Sequence, residues 1–356
     1  MKTLLTSKAI TNGGDYLLTA KGIEISKKFL GENNVTYVNA ITYDTGKFLI
    51  DEYDNLIVIG GPLYCERLLT KGSFPLIYDA MDKGKKIFFL GAGNYLSDDK
   101  DEIIWNELFH GEVKEILQYI NDNGILGCRD YLSQRILLNN GFNNVIMTGC
   151  PVWYYDNVED RTKLPSIHKI IFSDAGVTKD GDIAKEKYVQ TINLLKYLSK
   201  KFSGVQLVYS FNNGIETKYS YRFNTKVLLF LKESGISHID LSGTADKFAL
   251  YDDFDLHIGY RLHSHIYSIS HKIPSILICE DARGIGFNKV FGLEVLKCYD
   301  DTKRYYTNNQ YLINQLNFIL DEEMVTHFMR YRYIYENIHY YRTNLNNFFE
   351  EIKKRL

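Results

Sequence analysis

The chain has 356 residues, 45% of them hydrophobic and 24% charged, with a formal net charge of −2 and a pI near 6.5. That balance is ordinary for a globular protein and excludes a general nucleic-acid binder, which needs a basic stripe. Its length favours two domains over one or three.

No window approaches the roughly 18 consecutive apolar residues of a membrane span, and the first ten residues are too short and polar for a secretion signal. Attachment to a membrane-bound partner stays open, as does the oligomeric state. Cys65, Cys128, Cys150, Cys279 and Cys298 are scattered, odd in number and without a CxxC pair. They fit free thiols in a reducing cytoplasm and give no metal site.

In chain order, a short apolar start (Leu4, Leu5, Ile10) leads into Thr11-Asn12-Gly13-Gly14-Asp15 and then a helix with Leu17, Leu18, Ile23, Ile25 and Phe29. Strand, glycine turn and helix open a βα unit. Asp15 suits a helix cap as well as it suits chemistry. Further strands are predicted at 35–40, 55–59, 87–90, 125–128 and 145–148, four of them followed by Gly60-Gly61, Gly91-Ala92-Gly93, Arg129-Asp130 and Gly149-Cys150-Pro151. Buried runs alternating with helical patterns indicate a parallel sheet covered on both faces, with ligands beyond the carboxyl ends of its strands.

A polar stretch at 158–168 reads as a linker, after which the pattern restarts. Strands are predicted at 169–172 (into Ser173-Asp174-Ala175-Gly176), 205–209, 238–241, 255–258 and 275–279. Helices are predicted at 185–202, 221–233 and 245–251 and from about 261, and residues 280–286 read as a polar loop. Beyond Tyr299 the chain is helical and Tyr-rich, with helices predicted at 313–320 and from about 322 to 354. The expectation is an α/β protein of two doubly wound Rossmann-like domains (1–157 and 169–310) facing across a cleft, with a helical tail at 311–356. This is a glycosyltransferase-B-like architecture.

The stretch 252–293 carries the strongest chemical signal. A strand, a Gly259-Tyr260 turn and a helix opening at Arg261-Leu262-His263 place backbone N–H groups, a guanidinium and an imidazole at one mouth. A guanidinium fork there suits a carboxylate or phosphate. Pairing of Arg261 with Asp253 or Asp255 is the alternative, and a buried histidine on the helix's apolar face is the alternative for His263. His265 and His271 point away from the mouth. Arg129 occupies the matching place in the first domain, where pairing with Asp130 competes. Arg283 and Lys289 follow the last strand, either closing over a ligand or solvated. The cluster at 252–255 reads as a strand start rather than a metal site. Gly91-Ala92-Gly93 lacks the third glycine of a dinucleotide fingerprint.

Asn12-Gly13-Gly14-Asp15, IVIGGPLY (57–64), LGAGN (90–94), CRDYLS (128–133), Gly149-Cys150-Pro151 and IGYRLHSHIYSISHKIPSILI (258–278) resemble, in order and spacing, the polysaccharide pyruvyl transferase family. The resemblance implies transfer of the pyruvyl group of phosphoenolpyruvate to two hydroxyls of a sugar, with release of phosphate and no further cofactor. The acceptor would be a nucleotide- or lipid-linked precursor of a surface polysaccharide, in the cytoplasm. By the same resemblance His263 is the candidate acid and Asp15 the base. Arg261, Leu262 and Arg129 would hold the anion, with Asn12, Gly13, Gly14, Ser133, Ser210, Arg283 and Lys289 as further binding candidates. The sequence departs from the family at Ser173–Gly176, where members often carry an arginine, and at Cys150, where many have aspartate. A nucleotide-sugar glycosyltransferase on the same scaffold and an inactive anion- or glycan-binding protein are the competing readings.

Overall fold

The computed structural model describes residues 2–43, 50–65, 69–96, 108–156, 158, 166–176, 181–216, 221–302, 304–307 and 310–356. The first half forms β1 (Thr3–Ser7), α1 (Gly13–Leu30), β2 (Val35–Asn39), β3 (Asn55–Ile59), α2 (Pro75–Asp82), β4 (Lys86–Ala92), α3 (Gly111–Asn123), β5 (Ile125–Cys128), α4 (Tyr131–Asn139) and β6 (Val145–Met147). The second half forms β7 (Lys169–Ser173), α5 (Asp182–Lys201), β8 (Gln206–Phe211), α6 (Tyr221–Glu233), β9 (Ser237–Asp240), β10 (Leu256–Gly259), α7 (Leu262–Ser270), β11 (Ser275–Cys279), α8 (Ala282–Val290) and β12 (Leu296–Lys297). Two helices, α9 (Gln310–Val325) and α10 (Met329–Arg355), complete the chain.

The strands make two six-stranded parallel sheets, ordered β2-β1-β3-β4-β5-β6 and β12-β11-β10-β7-β8-β9. Strands such as Leu56-Ile57-Val58 and Phe88-Phe89-Leu90 are wholly buried because helices cover both faces, which is why they read as unbroken apolar runs. Strand order reverses between β1 and β3 in one sheet and between β7 and β10 in the other. Crevices open at such reversals, beyond the strands' carboxyl ends. Both crevices face the same cleft.

One element differs in kind from the sequence reading. Residues 280–286 are not a loop, because α8 starts at Ala282 with the Asp281 side chain capping it through the Arg283 N–H at 3.0 Å. The two helices expected in the tail are α9 and α10, with the break at His327 and Phe328, both with left-handed backbones, rather than near 321. The tail also reaches back to the first sheet, where Arg355 donates to the Gly124 carbonyl at 2.8 Å. Between the sheets, Trp153 is buried against Phe287, Phe291 and Tyr341, with ring centroids 5.0–5.7 Å apart.

Candidate active site in the cleft

The second domain's side is built around the end of β10. Gly259 has a φ of +151°, and a Cβ there would lie 2.4–2.5 Å from Ser173 atoms, so only glycine lets the chain pass. Arg261 follows as the N-cap of α7. Its guanidinium is held by Asp174, Nε to Oδ1 at 2.6 Å and Nη2 to Oδ2 at 2.8 Å, and Nη2 also donates to the Ala175 carbonyl. Asn213, its amide oxygen turned toward the guanidinium, accepts from Nη2 at 2.9 Å and Nη1 at 3.2 Å. The partner of Arg261 is therefore Asp174 and neither Asp253 nor Asp255. Asp255 instead accepts from the His168 and Lys169 amides and anchors the start of β7. Little of the Arg261 guanidinium remains for a ligand.

The first domain's side is the N-terminus of α1. Asn12 caps it by accepting from the Gly14 N–H at 2.9 Å. Gly13 donates to the Asn212 carbonyl at 2.7 Å, and a Cβ there would lie 2.2 Å from the Leu241 oxygen. At Gly14 a Cβ would lie 2.7 Å from His263 Nδ1. The two glycines let a first-domain helix dock on second-domain loops and bring Asp15 beside His263. Arg129, 1% exposed, leaves the end of β5 past Gly93, where a Cβ would lie 2.1 Å from Nη2. Its Nε and Nη2 have no hydrogen-bond partner, and Asp130 Oδ2 is 3.8 Å from Nε. Arg283 is paired with Asp281 and lies over the Tyr95 ring, 5.1 Å from its centroid.

The electrostatics follow from burial among three guanidinium groups. Burial pushes the Asp15 carboxyl up to about 6, although Arg283, Arg261 and Arg129 all pull it down. Burial, reinforced by Arg129, Arg283 and Arg261, pushes the His263 imidazole down to about 3. The imidazole is therefore neutral near pH 7, with its Nε2 unpartnered. Burial also lowers the Arg129 pKa. Asp130, 3.8 Å away, is the ion partner that the sequence allowed, yet burying two guanidinium nitrogens without hydrogen bonds is costly, and an anion in the cavity would relieve it.

Asn12, Gly14, Asp15, Arg129, Arg261, Leu262, His263 and Arg283 line one cavity of about 100 Å³, with Gly13 bonded just behind it. Three of the expected residues are elsewhere. Ser133 braces the loop after β4, accepting from the Asn94 backbone and side-chain nitrogens at 3.0 and 3.1 Å. Ser210 is buried against the Tyr251 hydroxyl at 2.7 Å. Lys289 is exposed in the last turn of α8. The sequence reading missed Asp174, Asn212 and Glu280, the last held by Lys187 and the Gly176 N–H, both at 2.7 Å. Their only signal was a place just past a strand's carboxyl end.

Fold and site together define a two-domain, glycosyltransferase-B-like α/β protein with an arginine-lined pocket between its halves. The family model for polysaccharide pyruvyl transferase matches residues 12–279, and the chain belongs to that family. Among curated proteins, none matches in sequence. Solved structures agree on the fold. The S. aureus MnaA–UDP structure is 15% identical over 93% of this chain and 91% of its own, with a TM-score of 0.58. The UDP-GlcNAc 2-epimerase from Neisseria meningitidis bound to UDP-GlcNAc is 11% identical over 99% of each chain, with the same TM-score. The UDP-forming trehalose-phosphate synthase from Burkholderia xenovorans is 11% identical over 100% of this chain and 98% of its own, with a TM-score of 0.53.

Proposed function

We propose that the protein transfers the pyruvyl group of phosphoenolpyruvate to two hydroxyls of a nucleotide- or lipid-linked sugar in the cytoplasm, forming a ketal and releasing phosphate. The observation that carries the reading is the buried Arg129 guanidinium, with Nε and Nη2 free of hydrogen bonds, in one cavity with His263 and Asp15. Membership of the pyruvyl transferase family supports it. Arg129 is the anion's main anchor, aided by Arg283 and the uncapped first-turn N–H groups of α7. Arg261, fixed by Asp174, shapes the wall.

The reaction needs a proton on the methylene carbon while the first hydroxyl attacks the adjacent carbon. The first hydroxyl gives up its proton as it attacks; the bond to phosphate then breaks, and the second hydroxyl closes the ketal and gives up its own, so that the two hydroxyl protons end on the methyl carbon and on the departing phosphate. In the free site Asp15, at about 6, is ionised in most molecules near neutral pH, whereas His263, at about 3, is neutral and a weak base. Asp15, much the stronger base of the two, is assigned as the base, and His263, whose imidazole a bound anion would help to protonate, as the acid, the roles that the resemblance implies. A group of either kind typically supplies about 10²–10⁴-fold in rate.

Mixing the protein with phosphoenolpyruvate and its acceptor should release phosphate, and Arg129→Ala and His263→Ala should abolish the release in folded protein. Full turnover by both variants would sink the assignment. The S. aureus and Neisseria structures hold UDP or a UDP-sugar, which makes nucleotide-sugar transfer the second reading. Thermal stabilisation by UDP-sugars and none by phosphoenolpyruvate would favour it.

A further inference from the structure

Beneath the cleft lie two histidines that the proposed chemistry does not use. His257 on β10 and His265 on α7 are both wholly buried, as are Ser173 and Ser275, and Asn288 is 1% exposed. Their polar atoms form a continuous line. Asn288 Oδ1 is 3.1 Å from His265 Nε2, and Ser275 Oγ is 2.6 Å from both His265 Nδ1 and His257 Nδ1. His257 Nε2 is 2.9 Å from Ser173 Oγ, which accepts from the Arg261 N–H at 3.1 Å.

The hydrogens in this line can be placed by elimination. Asn288 Nδ2 donates to the Glu294 carbonyl at 2.7 Å, so the Asn288 oxygen faces His265 and must be met by an N–H on Nε2. His265, neutral because burial lowers its pKa to about 3, then has a bare Nδ1. Ser275 donates its one hydroxyl hydrogen there and accepts from His257 through an N–H on Nδ1. Burial and His265 keep His257 neutral too, so its Nε2 is bare and receives the Ser173 hydroxyl hydrogen. Ser173 is left with a lone pair for the Arg261 amide. Every donor meets an acceptor in one direction only.

We infer that Ser173, His257, Ser275, His265 and Asn288 form a one-directional hydrogen-bond relay that positions the Arg261 amide, and with it the first turn of α7, at the cleft. These are positioning residues, none of which lines the cavity. The relay ties three strands and two helices to one amide, and that amide lies two residues before His263. Protonating either histidine would turn its bare nitrogen into a donor and leave the facing serine hydroxyl hydrogen without its acceptor, breaking the line.

The decisive measurement is nitrogen NMR on the full chain with ¹⁵N-labelled histidine and arginine. The expected result is His257 protonated on Nδ1, the less common tautomer of a free imidazole, and His265 protonated on Nε2. Ser275→Ala should move the Arg261 amide resonance and weaken phosphoenolpyruvate binding about tenfold, the size of one lost buried hydrogen bond, while Ser275→Thr should restore both. His257 protonated on Nε2 in the unmodified protein would overturn the relay whether or not any variant folds. So would an unmoved Arg261 resonance in folded Ser275→Ala. The binding arm rests on the donor proposed above and the tautomers do not. If the unmodified protein binds no phosphoenolpyruvate, the functional reading fails, and the nitrogen shifts still decide the relay.

Discussion

Asp15 links stability to chemistry in a way that can be measured. Its carboxyl has a usual pKa of 3.8 and sits at about 6 in the folded protein. A carboxyl raised in the folded state favours folding only while protonated, so the protein loses that contribution as pH rises through about 6. Above that pH the ionised group opposes folding by about 3 kcal/mol, taking 1.36 kcal/mol for each of roughly two pH units. Asp15→Asn keeps the shape and removes the charge. With about 2.1 cal/mol/K of unfolding entropy per residue, the variant should melt about 4 °C higher than the parent at pH 7.5. At pH 4, where Asp15 is protonated in the fold, the gap should close. Paired thermal melts at the two pH values give the result, and phosphate release by Asp15→Asn should be lost at both. Equal melting differences at pH 4 and 7.5, or a variant less stable at pH 7.5, would refute the placing of Asp15 as a buried, reluctant anion.

The base assignment predicts that kcat/KM falls on acidification through about 6; a fall as pH rises through the same range would make Asp15 the acid instead. Arg129→Met should lower stability, because it leaves the buried Asp130 carboxylate without the guanidinium 3.8 Å away, and should abolish phosphoenolpyruvate-induced stabilisation of the folded variant in a thermal-shift assay. Gly14→Ala should push His263 aside, since the added carbon would lie 2.7 Å from Nδ1, and cost at least about tenfold in kcat, as misplacement by about 1 Å does. Asp174→Asn should loosen Arg261 and lower kcat/KM about tenfold, on the scale of one charge-assisted bond, without changing the kcat/KM–pH midpoint.

Much of the fold could be read because parallel strands covered on both faces leave unbroken apolar runs, and β3, β4 and β11 were bounded closely on that ground. Helix α8 escaped because Gly284 and Gly286 look like loop residues. They are glycines because they lie against Leu277 and Asp130, where a Cβ would come within 2.9–3.0 Å. At the site, residues in the Arg261–His263 segment and the Asn12–Asp15 turn could be named because glycine turns mark them. Asp174 could not, because its role depends on Arg261, which lies 87 positions away and meets it only across the β7–β10 reversal. Ser133 and Ser210 show the converse, since a hydroxyl beside a pocket and one beneath it look alike in sequence.

The contact of Gly13 and Gly14 with Asn212, Leu241 and His263 means that the two halves share a latch. Swinging the cleft open would peel α1 from the second domain, parting the Gly13–Asn212 bond and the Gly243–Thr11 bond together. Any such opening would therefore also separate Asp15 from His263. The room allowed at positions 13 and 14 is a joint property of both domains. A half borrowed from a relative with bulkier loops after β8 or β9 would hold the latch ajar, and the resulting chimera would fold as two sound domains that never bring Asp15 to His263.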